Sequence, residues 1–291
     1  MTETPIVPAG WYGLLHHPKF RAAVERNASG VLDQFDHRSP VTKWLTKDLG
    51  RSSTLMRCLI ILAQRGEASV ADVLARVRAG HPASESRVLR LFAAAAEAGL
   101  VAIEPEDGPW RARRIAFRPA FLQLFRERAI LEVEAAAIVA PEVRPAAALM
   151  QGDAVFWRFV AALGRFDRMP PEQRGPPNPG VRLFLVHDAG LMMLYDLLLA
   201  QDPHRKRLLE AAAFSRSRLA RRFDVSRMHV ARLFDEAASQ GHLSYVGRDR
   251  VAFSETMNAD AERHFAVTFQ TMRLAALDAL QTHAGKGAAE A

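Results

Sequence analysis

The apolar positions between Phe214 and Ser254 keep a helical period across one turn and then change to that of a hairpin. Leu219 and Phe223 stand one turn apart on one helical face, with Ser215 ahead of them as a cap. Asp224-Val225 makes a turn. From Ser226 onward, Val230, Leu233, Phe234 and Ala237 follow the i, i+3, i+4, i+7 spacing of a helix that buries one stripe. Ser226 suits the start of that helix, because its hydroxyl can accept from an otherwise unpaired first-turn amide. Gly241 stands where such a helix ends in a left-handed residue. The pattern then becomes that of a β-hairpin: His242 to Val246, a Gly247-Arg248-Asp249 tip, and Arg250 to Ser254.

The same pattern occurs once before. Ser84, Val88, Arg90, Leu91, Phe92, Ala95, Ala96 and Gly99 align without a gap with Ser226, Val230, Arg232, Leu233, Phe234, Ala237, Ala238 and Gly241. Upstream, Leu74-Ala75-Arg76 aligns with Leu219-Ala220-Arg221; downstream, Ile115-Ala116-Phe117 aligns with Val251-Ala252-Phe253. Leu32, Phe35, Asp36 and Pro40 recur as Leu163, Phe166, Asp167 and Pro171, so the duplication covers nearly the whole chain. In the first copy the helices run from Ser69 to Val77 and from Ser84 to Ala98. Strands near Leu100–Ile103 and Arg113–Phe117 flank a longer tip that holds Pro105, Gly108, Pro109 and Trp110.

Further apolar runs predict helices over Leu55–Leu62, Pro119–Val139, Ala154–Phe166, Val181–Ala200 and Met257–Leu280, the longer ones forming a central bundle. The Pro/Gly-rich stretch Met169–Gly180 reads as a connector. The expected organisation is a flexible start (1–12), a first half (13–140) with its unit at 52–118, and a helix plus connector (141–180). A second half (181–283) with its unit at 191–254 and a short tail (284–291) follow.

Helix, turn, helix, hairpin is the order of a winged helix-turn-helix. The expected fold class is therefore mainly α with small β-hairpin wings: tandem winged units joined by a helical bundle. Val230, Arg232, Leu233 and Phe234, followed by Gly241, resemble the recognition helix of MarR-type bacterial transcriptional regulators. Members of that family usually form homodimers with one winged unit per chain. This chain carries two and resembles such a dimer fused into one polypeptide. The resemblance implies a transcriptional regulator that binds double-stranded DNA with a recognition helix in the major groove. Whether it acts as a monomeric pseudo-dimer or as a homodimer stays open.

Composition changes this picture little. The 291 residues are 49% hydrophobic, enough for a real core, and the net charge of +7 permits a polyanionic partner. GC-rich coding gives the same Arg- and Ala-rich composition, so the charge alone decides nothing. Cys58 is the single cysteine, which excludes an intrachain disulfide and fits a cytoplasmic setting. In its apolar run it reads as a buried, inert residue rather than a redox sensor. No signal peptide is visible. The longest apolar run, Leu191 to Ala200, is interrupted by Asp196 and falls short of the ~18 residues of a membrane span.

Candidate DNA contacts are the residues outside the buried stripes. In the second unit they are Ser226, Arg227, Met228, His229 and Arg232 on the recognition helix, Arg216, Arg218, Arg221 and Arg222 on the supporting helix, and Arg248 and Arg250 on the wing. In the first they are Ser84, Glu85, Ser86, Arg87 and Arg90, with Arg111, Arg113 and Arg114 on the wing. Arginine can fork onto guanine, glutamate can accept from cytosine, and methionine can pack on a thymine methyl. The two sets differ, which predicts two unlike half-sites. Glu85, Glu104, Glu106 and Asp107 repel phosphate and weaken the first unit. Phe156, Trp157, Phe159, Met192, Met193 and Tyr195 are candidates for a small-molecule effector pocket, against a packed-core reading. No metal spacing, phosphate loop or nucleophile elbow stands in the chain, so no cofactor and no enzymatic activity are expected. The alternatives are a tandem winged-helix protein-docking module and a plasmid-type replication initiator.

Overall fold

The computed structural model describes residues 10–78, 84–104, 109–167, 178–202 and 204–287. The chain is mostly helical, with two small antiparallel sheets. The first half runs α1 (Trp11–Leu15), α2 (Phe20–Asp36), α3 (Pro40–Thr46), α4 (Leu49–Arg65), α5 (Val70–Arg78), α6 (Glu85–Glu97), β1 (Val101–Glu104), β2 (Arg114–Phe117) and α7 (Pro119–Ala136). After α8 (Arg144–Leu149) the second half runs α9 (Asp153–Asp167), α10 (Pro179–Val186), α11 (Gly190–Leu199), β3 (Ala211–Ala213), α12 (Arg216–Phe223) and α13 (Arg227–Ser239). It ends with β4 (Leu243–Val246), β5 (Arg250–Phe253) and α14 (Glu255–Gly287). Pro105, Glu106, Asp107 and Gly108 of the first tip, and Met169 to Pro177 of the connector, lie outside the described residues.

Local chemistry explains why both halves fold alike. Ser226 Oγ accepts from the His229 amide at 3.0 Å, and Ser215 Oγ accepts from the Arg218 amide at 3.3 Å. Ser69 Oγ does the same for Asp72 at 3.1 Å. The stripes Val230, Leu233, Phe234, Ala237 and Val88, Leu91, Phe92, Ala95 are buried at matching positions. Gly99 and Gly241 end the two helices at φ 67° and 74°, where a side chain would be strained. Caps and burial set one alignment differently from the residue identities. Ser69 matches Ser215, so Leu74-Ala75-Arg76 corresponds to Ala220-Arg221-Arg222, one residue on from the expected pairing.

The second half differs from expectation in two places. The helix expected over Val181–Ala200 is broken: the chain turns at His187-Asp188, and Ala189 has φ 55° before α11 starts. Gly190 permits this turn, since a Cβ there would stand 2.1 Å from the Phe184 carbonyl oxygen. The second hairpin also gains a third strand. β3 pairs with β5, placing Ala212 opposite Val251, and the sheet order is β3-β5-β4. In the first half a single bridge, Ser69 to Arg114, stands at the corresponding place.

The bundle forms around α7 against α14, flanked by α2 on α7 and α9 on α14. The halves also exchange partners: α2 packs on α11 of the second half, and α9 packs on α4 of the first. Trp11 and Tyr12, in the stretch expected to be a flexible start, belong to α1, which packs on α14. Among the described residues, no helix is long and apolar enough to cross a membrane.

Candidate nucleic-acid interface

The start of α13 is unusual for what it leaves outside. Met228 is 68% exposed, a large apolar side chain on an otherwise polar turn, and Arg227 beside it is exposed too. Arg232, one turn on, is also exposed, as are Arg248 and Arg250 on the hairpin and Arg221 on α12. Among the described residues, none of these five arginines pairs with an acidic side chain. The tip of the hairpin and the start of α12 enclose a cleft of about 480 Å³ lined by Ser215, Ser217, Gly247 and Arg248.

The other basic residues of α12 are engaged. Arg218 forks onto Asp196 at 3.0 and 2.6 Å, and Arg222 reaches Asp196 and, at 2.7 Å, Asp36. Asp196 is 4% exposed, so the forks neutralise a buried carboxylate on α11. Arg216 bonds Asp235 at 3.1 Å and the Tyr245 hydroxyl at 3.2 Å, while that hydroxyl donates to Asp235 at 2.6 Å. Arg218 and Arg222 thus fasten α12 to α11 and α2, and Arg216 fastens it to α13 and β4. Their guanidinium groups are occupied in this arrangement.

The first half carries its own counter-charges. Glu85 accepts from Arg78 at 2.5 Å and from Arg111, and these bonds hold its carboxyl below the ordinary range. Arg87 reaches Asp48 at 3.4 Å, Arg114 reaches Glu67 at 3.4 Å, and Arg113 stacks over the Trp110 ring with its guanidinium 5.1 Å from the centroid. Ser84 and Ser86 are exposed and bonded to each other at 3.1 Å; Ser84 makes no cap bond. Of the expected cations in this half, Arg90 alone among the described residues is exposed without an acidic partner.

A chain of polar contacts joins the two helix starts. Arg87 on α6 meets Asp48, which pairs with Arg51, and Arg51 Nη2 donates to Asp188 at 2.6 Å. His229 Nε2 on α13 donates to the Asp188 carbonyl at 3.0 Å. Arg87 and His229 are equivalent positions of the two copies, so the pseudo-symmetric pair faces the seam between the halves.

Sequence reasoning did not find Asp48, Asp188 or Asp196. Asp188 and Asp196 are single carboxylates whose basic partners stand on other elements, with no local spacing to mark them; Asp48 did carry a local signal, as the cap of α4 with Arg51 three residues on. Of the effector-pocket candidates, Phe156, Phe159, Met192, Met193 and Tyr195 are buried in the core and Trp157 packs against it. Cys58 is buried as well, and burial pushes its thiol up. No protein-family model, curated protein or solved structure matches the chain.

Proposed function

We propose that the chain is a tandem winged helix-turn-helix protein that binds double-stranded DNA in a sequence-specific way and regulates transcription. On this reading α5–α6 and α12–α13 are the helix-turn-helix pairs, and the two hairpins are the wings. The observation that carries it is the contrast between the halves. Arg221, Arg227, Arg232, Arg248 and Arg250 are exposed and without acidic partners on α12, α13 and the second hairpin, where a duplex would meet such a unit. A single exposed arginine is stably solvated by itself, so it is the grouping of five on these elements, beside Met228, that supports the reading.

In this proposal α13 is the principal reader. Arg227 and Met228 meet base edges, and Arg232, Arg248, Arg250 and Arg221 hold phosphates or the minor groove. The first unit contributes less, through Ser86 and Arg90, and the operator is asymmetric. Arg218 and Arg222 serve the scaffold, and His229 and Arg87 serve the seam. A footprint of the purified chain on genomic DNA tests this. The expected result is a discrete protected region whose two ends differ in salt sensitivity. Folded protein that protects no site would sink the reading.

A further inference from the structure

β1 is an edge strand of its hairpin. The register sets Val101 opposite Phe117 and Ile103 opposite Ile115, and next to them the Arg118 amide donates to the Leu100 carbonyl at 3.0 Å. Bonded pairs alternate along an antiparallel ladder, so Ala102 and Glu104 bond inward to β2, while the N–H and C=O groups of Val101 and Ile103 point to the free side. Among the described residues, no group bonds them there. The other side of the hairpin is closed: Ile115 donates to the Ala68 carbonyl at 2.8 Å, and Val70 donates to the Arg113 carbonyl at 3.0 Å. A cleft of about 490 Å³ is lined by all four residues of β1, by Ala96 of α6, and by Trp110, Arg113 and Arg118. The indole N–H of Trp110 is shut off from solvent and meets no acceptor among the described residues.

We propose that this cleft docks an extended acidic peptide segment of a partner protein, which adds to the free edge of β1 as a further strand and sets its carboxylates beside Arg118 and Arg113.

Backbone and charge both point to this occupant. Val101 and Ile103 are 3% and 8% exposed, so their outward N–H and C=O groups sit beside apolar surface, where an added strand gives each a partner. Arg118 is exposed and has no acidic partner among the described residues. Its guanidinium matches the two oxygens of a carboxylate. Glu104, the one carboxylate of the lining, stands opposite Arg114 in the strand register, so it has a cationic neighbour of its own. The Trp110 N–H is a donor that a peptide carbonyl can fill. The cationic pair is particular to the first hairpin: with Phe117 aligned on Phe253, Asp249 and Ser254 stand at the places of Arg113 and Arg118 in the second. A second copy of the same edge would bring these arginines towards another such pair, which disfavours self-pairing. An acidic strand from another protein meets every group of the cleft with its complement.

This inference does not rest on DNA binding, and its test involves no DNA. The full chain is titrated with a seven-residue peptide of alternating valine and glutamate, and with its lysine counterpart, by calorimetry and by NMR of the backbone amides. The glutamate peptide is expected to bind at least about tenfold more tightly, the margin of a charge-assisted fork. On binding, the Val101 and Ile103 amides should gain protection from hydrogen exchange, while Ala102, already bonded within the hairpin, keeps its own. N-methylation of alternate peptide amides separates strand pairing from plain charge attraction: methylating one set, valine or glutamate, is expected to abolish binding, and methylating the other to leave it intact. Arg118→Gln is expected to remove most of the preference for glutamate, and Arg118→Lys to restore part of it. Equal affinity for the two peptides, no binding of either, equal tolerance of both methylated series, or unprotected Val101 and Ile103 amides would overturn the proposal. So would wild-type affinity for the glutamate peptide in a folded Arg118→Gln chain.

Discussion

Asp167, at the end of α9, accepts from Arg57 at 3.0 Å and from Arg76 at 2.8 Å. Burial raises its carboxyl pKa, and the hydrogen bonds and charges of Arg76 and Arg57 outweigh that, leaving it below the ordinary carboxylate value. A depressed carboxyl contributes stability that is present above the unfolded pKa, about 3.9, and is lost as pH falls through the folded value. Asp167→Asn is therefore expected to cost about 2 kcal/mol at pH 7, less than a fully buried pair because Asp167 keeps some solvent access. Urea unfolding should show the gap between wild type and variant closing below about pH 4; a gap that persists there would contradict the assignment. On the proposed DNA surface, Arg232→Ala should weaken binding and reduce the salt slope by about 1, the mark of one lost phosphate contact. Glu85→Gln should act in the opposite direction by releasing Arg78 and Arg111, and anisotropy titrations at several salt concentrations would show a steeper slope. If the slope does not change, the first unit does not approach the duplex.

At the scale of single elements, the two recognition-helix candidates are capped unequally. Ser226 bonds the His229 amide, whereas Ser84 bonds only Ser86. Ser226→Ala is expected to cost about 1 kcal/mol of stability and Ser84→Ala clearly less; equal losses in chemical denaturation would refute the difference. These elements were legible in the sequence because their signals are local: Ser at the start, an apolar stripe, Gly at the end, and a Gly-bearing hairpin tip. β3 was not legible, since Ala211-Ala212-Ala213 has no β preference and becomes a strand only by pairing with β5. The break at Ala189 did carry a local signal, since His187-Asp188 interrupts the apolar pattern just before Gly190, and it follows from where Gly190 passes Phe184. Arg218 and Arg222 looked the same as Arg221 in the sequence. What separates them is Asp196, on a helix that periodicity placed but could not orient.

At the scale of the molecule, the two halves close crosswise. Asp36, ending α2, holds Arg222 of the second half; Asp167, at the equivalent end of α9, holds Arg76 of the first. The burial-based alignment makes Arg76 and Arg222 equivalent, so the two ion pairs are copies of one contact exchanged between halves. The apolar contacts of α2 with α11 and of α9 with α4 follow the same exchange. One cooperative unfolding transition is expected for the whole chain, because neither half can lose its core without exposing the other's. A calorimetric enthalpy well above the van't Hoff value would show two independent units instead.

The exchange also has a consequence for synthesis on the ribosome. α2 emerges well before α11, one of its partners, which spans Gly190–Leu199. Until that segment leaves the exit tunnel, α7 can cover one side of α2, but the side that packs on α11 has no native cover and stays exposed. A chaperone that shields emerging apolar segments would thus stay longer on the first half than on the second, because the first half emerges earlier and waits for α11.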